Sequence, residues 1–263
     1  MSTELINEIE LIRHCDTLGF DCDYRQQTES TNADALHYYQ THQRPVVAVS
    51  ESQTAGRGRR GRTWLSPFAR NIYCSIGLEK SLPASGQGLL SIVTGIALCR
   101  SLRELLDCEV RLKWPNDLLF EGAKLGGILI ESRPLETDRF FFVIGFGLNV
   151  KMTDEELGSI PQAASSLQHL SKTAVDRQEV LLRCIEAVVS DVTKFDATTT
   201  TDVMREFTHF DACLNQSVEV ISSGERVRGV CLGISDQGLL LLQTDSGTRS
   251  FSSAEVSLRK VNA

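Results

Sequence analysis

The sequence predicts an α+β fold, with a central mixed or antiparallel sheet flanked by helices and a small C-terminal β-barrel of the SH3 type. Residues 1–211 mix helical and strand patterns, whereas residues 212–263 contain almost only short strand patterns separated by tight turns. Four strand patterns follow one another between residues 109 and 150 without a helix between them, which favours antiparallel pairing. We therefore predict two domains, residues 1–211 and residues 212–263.

The 263-residue chain is acidic, and its 41% of hydrophobic residues is enough to bury a large core. The formal net charge of -7 argues against a protein that coats nucleic acid or an anionic membrane. The eight cysteines form no C-x-x-C pair and fall mostly in apolar runs, so we expect reduced thiols. The chain shows neither a leader pattern nor a membrane-spanning apolar run, and with reduced thiols this predicts a cytoplasmic protein.

The N-terminal half begins with apolar residues at helical spacing over residues 5–15. In "STNADALHYY", Thr31 and Asp34 have the form of a capping pair, which predicts that Ser30 and Thr31 lie at a helix N-terminus. The other elements expected in this half are strands at 22–27, 44–52 and 71–79 and a central helix at 88–106.

The C-terminal half continues with the four strand patterns and then with two helices. The strands are expected at 109–114, 117–122, 124–133 and 139–150, and the helices at 175–196 and 200–210. Turn residues then predict hairpins between five short strands at Ser223-Gly224, Asp236-Gln237-Gly238 and Asp245-Ser246-Gly247.

The stretch "GRGRRGR", residues 56–62, follows a predicted strand directly. Its glycines allow a ligand to approach the main chain, and its arginines offer planar, bidentate donors to phosphate or carboxylate. Two interpretations stay open on the loop alone: a lid over an anionic ligand, or a solvated basic loop that contacts nucleic acid. It is neither a Walker A loop nor a dinucleotide fingerprint, because no Gly-Lys-Ser/Thr and no helix follow it.

Three further stretches carry candidate site residues. In "KWPND" the proline makes a rigid turn that presents Asn116 and Asp117 at a strand end. In "KLGGILIE", Lys124 precedes paired glycines, where it can lie across a bound anion. In "GFGLN", Gly145 and Gly147 interrupt an apolar strand, as expected if a ligand lies against the sheet. Each stretch alone also fits a purely structural role.

Taken in order, these stretches resemble the biotin protein ligase family. The matching segments are "STN" at 30–32, "GRGRRGRTW" at 56–64, "KWPND" at 113–117, "KLGGILIE" at 124–131 and "GFGLN" at 145–149. The resemblance covers nearly the whole chain. It implies the biotin ligase catalytic fold, which is similar to that of class II aminoacyl-tRNA synthetases, for residues 1–211, followed by an SH3-like barrel.

The resemblance implies an enzyme that uses ATP and Mg²⁺ to convert biotin to biotinyl-5'-AMP and pyrophosphate. The biotin then passes to a lysine of the biotin carboxyl carrier protein of acetyl-CoA carboxylase. Positive charge in a dry site would help a carboxylate attack the α-phosphate, and holding the adenylate beside the incoming amine would supply proximity.

The resemblance assigns three overlapping sets of site residues. The catalytic set is Lys124, Arg59, Arg57 and Asp117, with Lys124 as the adenylation lysine. The biotin-binding set is Ser30, Thr31, Asn32, Gln53, Arg57, Gly58, Arg59, Lys124, Gly127, Leu129 and Gly147. The ATP-binding set is Arg57, Arg59, Arg60, Trp64, Asn116, Lys124 and Asn149. We expect no metal site built by the protein, because the ATP phosphates would carry Mg²⁺ near Asn116 and Asp117.

Fewer than 30 residues precede the "STN" motif, too few for the winged-helix DNA-binding domain of many bacterial family members, so we expect no DNA binding. The family contains monomers and homodimers, and both stay open here. Two other functions also stay open. A lipoate-protein ligase would form a similar acyl-adenylate but has a different glycine-rich motif. A nucleic-acid-binding module would use the basic loop and the barrel.

Overall fold

The computed structural model describes residues 4–171, 173–196, 198–222, 225–252 and 256–260. It contains a seven-stranded sheet and a five-stranded sheet, together with helices, and it confirms the predicted α+β class. Within the described ranges, no helix has both the length and the apolar character needed to cross a membrane.

The seven-stranded sheet has the strand order β1-β2-β3-β7-β6-β5-β4. The pair β1 and β2 is parallel and every other neighbouring pair is antiparallel, so the sheet is mixed. The four consecutive strand patterns thus pair antiparallel, as predicted. The strands are β1 Asp21–Arg25, β2 Val46–Ser50, β3 Ile72–Ser81, β4 Arg111–Lys113, β5 Asp117–Phe120, β6 Ala123–Glu136 and β7 Arg139–Leu148.

Helices cover both faces of this sheet, because alternate residues of its strands point to opposite sides. Along β2, Val47 and Val49 join the main hydrophobic core, whereas Val46 and Ala48 pack beneath helix α2. Helices α4 and α7 cover the first face. The helices are α1 Glu8–Thr17, α2 Thr31–His42, α3 Ala84–Gln87, α4 Leu90–Leu106, α5 Asp154–Gly158, α6 Leu167–Leu170, α7 Arg177–Lys194 and α8 Thr200–Phe210.

The predicted capping pair at the start of α2 is wrong. Ser30 is the N-cap residue, its side chain makes no capping hydrogen bond, and Thr31 is the first helical residue. The Thr31 hydroxyl instead contacts the side chains of Gln53 and Ser75 on neighbouring segments. A tertiary hydrogen bond has therefore replaced the local one that the sequence spacing suggested.

The C-terminal residues form a five-stranded antiparallel sheet in the order β11-β10-β9-β8-β12. Gly238 and Gly247 adopt positive φ angles of 74° and 109° at two of the predicted turns, and the third, Ser223-Gly224, lies outside the described residues. The buried side chains of this C-terminal sheet belong to the same hydrophobic cluster as those of the larger sheet. The domain boundary at residue 211 stays a prediction. The strands are β8 Ser217–Ser222, β9 Glu225–Ile234, β10 Leu240–Thr244, β11 Gly247–Phe251 and β12 Val256–Lys260.

A buried ion pair joins α7 to the segment that follows β2. Arg177 and Glu51 are 4% and 0% exposed, and their charged atoms lie 2.6 Å apart. The other carboxylate oxygen of Glu51 accepts hydrogen bonds from the Tyr24 hydroxyl and the Ile6 amide, both at 2.7 Å. Arg177 also donates to the carbonyl oxygen of Asn71 at 3.1 Å. The pair therefore fixes the chain two residues before Gln53.

Replacing Arg177 with Met should destabilise the fold by about 3–5 kcal/mol, because it leaves the Glu51 charge buried without its partner. Urea unfolding of the wild-type protein and of Arg177→Met measures this difference in the free energy of unfolding. Arg205→Met is the matched control, since Arg205 pairs with Asp202 on the surface and its loss should cost less than about 1 kcal/mol. Equal stabilities for Arg177→Met and Arg205→Met would show that the buried pair does not hold this region.

Candidate active site

A cavity of about 880 Å³ lies on the α2 side of the larger sheet. Phe141 and Val143 of β7 pack under α2, and Gly145 and Gly147 continue the same face beyond the helix. Every residue predicted for the site lines this one cavity. They are Ser30, Thr31, Asn32, Gln53, Arg57, Gly58, Arg59, Arg60, Trp64, Asn116, Asp117, Lys124, Gly127, Leu129, Gly147 and Asn149.

The glycines of β6 and β7 make the floor of the cavity bare. Gly127 pairs with Gly147, and Leu129 pairs with Gly145, in the antiparallel register of the two strands. A Cβ atom on Gly147 would lie 2.7 Å from indole atoms of Trp64, and one on Gly145 would collide with the Asn32 side chain. Only the missing side chains therefore allow Trp64 and Asn32 to lie on the sheet.

One end of the cavity is lined by the neutral polar side chains of Thr31, Asn32 and Gln53, which belong to one continuous hydrogen-bond network. The Thr31 amide donates to Oε1 of Gln53 at 3.0 Å, and Nε2 of Gln53 donates to the Ser66 hydroxyl at 3.2 Å. The Ser75 hydroxyl donates to Oδ1 of Asn32 at 2.6 Å and lies 2.7 Å from the Thr31 hydroxyl. Such uncharged donors and acceptors suit a polar but uncharged ring. Ser75 was not predicted as part of this network.

Glu131 connects residues 56–62, the arginine-glycine loop, to the floor of the cavity. Its Oε2 atom accepts a hydrogen bond from Nδ2 of Asn32 at 2.7 Å and lies 3.3 Å from a guanidinium nitrogen of Arg57. The Glu131 carboxylate thus orients one residue of the "STN" motif and one of the arginine-glycine loop. It stands in the quoted "KLGGILIE" stretch but was not predicted as a site residue, because its partners are 74 and 99 positions away.

The other end of the cavity is charged. The Lys124 ammonium lies 2.6 Å from a carboxylate oxygen of Asp117 and 5.4 Å from the ring centre of Trp64. Arg59 donates to Oδ1 of Asn116 at 3.4 Å. Burial lowers the pKa of Arg59, and the nearby Asp117 opposes that effect; the guanidinium stays protonated near neutral pH. This end therefore offers positive charge to an anionic ligand.

The wall beyond Lys124 comes from a segment that no motif predicted. The Lys124 amide donates to the Ala163 carbonyl at 2.9 Å. The segment that precedes Ala163 lines the cavity through Ser159, Ile160, Pro161 and Gln162. Nδ2 of Asn149 donates to the carbonyl oxygens of Lys124 and Ser165, at 3.4 and 3.1 Å. Asn149 thus fastens this wall to β7.

Two polar features bear on what the cavity could hold. The indole nitrogen of Trp64 is buried and has no hydrogen-bond partner among the described residues. The described ranges contain no cluster of three or more His, Cys, Asp or Glu side chains that could hold a metal ion. The oxygen donors nearest the charged end are those of Asn116 and Asp117, and a cation there would need most of its ligands from a bound molecule.

The comparisons with known proteins agree with this geometry. Residues 23–149 match the model of the Biotin/lipoate A/B protein ligase family, and residues 213–259 match the biotin protein ligase C terminal domain. These two matches place the chain in the biotin and lipoate ligase class.

The relatives identify the branch of that class. The chain is 33% identical over 242 residues to the biotin--[acetyl-CoA-carboxylase] ligase of Mycobacterium tuberculosis, covering 89% of this chain and 87% of that protein. It is 35% identical over 215 residues to the bifunctional ligase/repressor BirA of Escherichia coli, covering 81% of this chain and 66% of that protein. The chain belongs to the biotin protein ligase family.

A solved structure of a biotin protein ligase has a fold similar to that of this chain. The biotin protein ligase from Aquifex aeolicus in complex with biotin and ATP superposes with a TM-score of 0.73 at 26% identity. The match covers 91% of this chain and 99% of that one. The described fold therefore extends over nearly the whole of that enzyme.

Replacing Gly147 with Ala should push Trp64 off the sheet, because the new methyl group would lie 2.7 Å from the indole. The chain has two tryptophans, and Trp114 is 2% exposed, so an increase in acrylamide quenching of fluorescence would report the movement of Trp64. Gly158→Ala is the control, since a Cβ there meets no atom within 4 Å. Quenching of Gly147→Ala at the wild-type level would refute this packing of the floor.

Proposed function

We propose that this protein is a biotin protein ligase that converts biotin and ATP to biotinyl-5'-AMP and transfers the biotin to a lysine of a biotin carboxyl carrier protein. One observation supports this most strongly: a single cavity joins a neutral polar network at one end to a cationic group at the other. Such a cavity suits a molecule that carries an uncharged polar ring and a carboxylate, when that carboxylate reacts with a phosphate of a nucleotide.

The neutral end would hold the ureido ring of biotin. Its carbonyl and N–H groups match the hydroxyl and amide groups of Thr31, Asn32 and Gln53. Ser30 and the main chain at Gly58 would complete this end, and the apolar body of biotin would lie along the floor beside the indole that covers part of it. The floor residues assigned to this contact are Gly127, Leu129 and Gly147.

The cationic end would hold ATP. Arg57, Arg59, Arg60 and Lys124 would offset the repulsion between the biotin carboxylate and the α-phosphate as the oxygen–phosphorus bond forms and pyrophosphate leaves. The Trp64 indole nitrogen offers a buried donor that a bound acceptor would satisfy. Asn116 and Asp117 supply oxygen atoms for Mg²⁺ carried by the phosphates, and that ion, when bound, neutralises phosphate charge.

Transfer would use the same cavity. The acceptor lysine nitrogen bonds to the acyl carbon, the bond from that carbon to the AMP oxygen breaks, and AMP leaves. Asp117 would take the proton from the amine; its carboxylate lies at the charged end, 2.6 Å from the Lys124 ammonium. We further propose a cytoplasmic reaction, in keeping with the eight cysteines, all of which are free thiols.

Biotin-dependent exchange of labelled pyrophosphate into ATP tests the proposal, with lipoate as the competing substrate. We expect exchange with biotin and none with lipoate, because the polar network matches a ureido ring. Exchange with lipoate alone would assign the chain to the other branch of its class, and no exchange with either would contradict the proposal.

Lys124→Ala should reduce this exchange by at least about 100-fold, since it removes a cation aimed at the developing charge. Lys151→Ala is the matched control, because Lys151 pairs with Glu4 outside the cavity. Undiminished exchange in Lys124→Ala would remove this residue from the adenylation step.

A further inference from the structure

One turn of the C-terminal sheet, residues 235–238, contacts Trp114, a residue that lines the cavity. The indole nitrogen of Trp114, in the "KWPND" stretch, donates to the carbonyl oxygen of Gly238 at 3.0 Å. Trp114 is only 2% exposed, so this hydrogen bond is shielded from water. The turn is closed on itself by the Gly238 amide, which donates to the Ser235 carbonyl at 2.9 Å. The acceptor for Trp114 is therefore held in a fixed place.

The fit between the turn and the body of the protein is close on both sides. Gly238 has a φ of 74°, and a Cβ atom there would lie 3.1 Å from backbone atoms of Gly88. A Cβ atom on Gly88 would lie 2.8 Å from the carbonyl oxygen of Gln237. Two backbones thus meet directly just before α4, which makes the turn a rigid neighbour of Trp114.

The residues after Trp114 lead straight into the charged end of the cavity. The carbonyl oxygen of Pro115 accepts a hydrogen bond from the Ser91 hydroxyl of α4 at 2.8 Å. Nδ2 of Asn116 donates to the Ile128 carbonyl at 2.8 Å, and the Ile128 amide donates to the Asn116 carbonyl at 2.9 Å. The next residue, Asp117, pairs with Lys124. Only Pro115 separates Trp114 from Asn116, so a displacement of Trp114 would shift the short segment that carries both oxygen donors.

We propose that Trp114 is a positioning residue through which the C-terminal sheet holds Asn116 and Asp117 in place for the nucleotide. The inference deepens the proposed function and rests on it for its kinetic effect. An aromatic ring with a single N–H suits this role, because the ring fills the space beneath the turn while the N–H fixes its direction. The C-terminal sheet would then act on catalysis without contacting a substrate.

The test compares Trp114→Phe with Gly238→Ala in the full-length protein. Trp114→Phe keeps a ring but loses the donor, and Gly238→Ala displaces the acceptor. We expect each to lower kcat for biotin-dependent pyrophosphate exchange about tenfold and to raise the KM for ATP, since small displacements near reacting groups are costly. The dissociation constant for biotin should stay within about twofold of wild type, because the neutral end is built by other segments.

A second measurement does not depend on activity. Amide hydrogen exchange at Asn116 and Ile128 should become faster in both variants, because these amides donate the hydrogen bonds that hold the "KWPND" turn. Val220→Ala is the matched control: Val220 is fully buried in β8 and pairs with Val227 of β9, so its truncation should weaken the C-terminal sheet at a position outside residues 235–238. We expect Val220→Ala to keep wild-type kinetics and wild-type exchange at these two amides.

The double variant completes the test. If one hydrogen bond carries the effect, Trp114→Phe with Gly238→Ala should be no slower than the slower single variant. Additive losses, wild-type kinetics in Trp114→Phe, or the same losses in Val220→Ala would each overturn the inference. Absence of biotin-dependent pyrophosphate exchange in the wild-type protein would contradict the proposed function instead. Amide hydrogen exchange at Asn116 would still decide whether Trp114 holds the "KWPND" turn.

Discussion

The site depends on a patch of sheet that has no side chains. Gly127, Gly145 and Gly147 lie on the same face as Phe141 and Val143, so the surface that α2 covers continues as bare backbone. Any side chain at Gly145 or Gly147 would occupy the space of Asn32 or Trp64. The position of the Trp64 indole and of the Asn32 side chain against the sheet follows from that one steric condition.

The elements around this patch are held from two sides. On one side, the buried Arg177–Glu51 pair fixes the chain just before Gln53, and its guanidinium also holds Asn71. Oδ1 of Asn71 accepts from the Val150 amide at 3.0 Å, next to Asn149, so a single buried pair reaches both ends of the cavity. On the other side, the C-terminal sheet accepts a hydrogen bond from the indole nitrogen of Trp114. Rigid supports of this kind are what a site needs if its groups are to stay aligned during two successive reactions.

Much of this arrangement could be predicted from the sequence, because its motifs combine local turn chemistry with residue types that suit anions or a close backbone. The glycines of β6 and β7, the "KWPND" turn and Lys124 all line the cavity for which they were singled out. The consecutive strand patterns likewise gave the correct antiparallel order for the second half of the sheet.

The rest depends on contacts between distant parts of the chain, which leave no local signal. Arg177 and Glu51 are 126 positions apart, and each alone looks like an ordinary surface residue. Ser75 sits within an apolar strand, and residues 159–164 carry no motif. The capping prediction for Thr31 failed for the same reason, since Gln53 and Ser75 reach its hydroxyl through the tertiary fold.

Isolation of the adenylate intermediate tests whether one cavity serves both half-reactions. The protein would be incubated with biotin and ATP labelled at the α-phosphate, separated from free nucleotide, and then given a biotin carboxyl carrier protein without ATP. We expect labelled adenylate to travel with the protein and the carrier lysine to be biotinylated as AMP is released. Labelled adenylate that fails to remain with the protein, or transfer that requires fresh ATP, would show that the two half-reactions do not share this cavity.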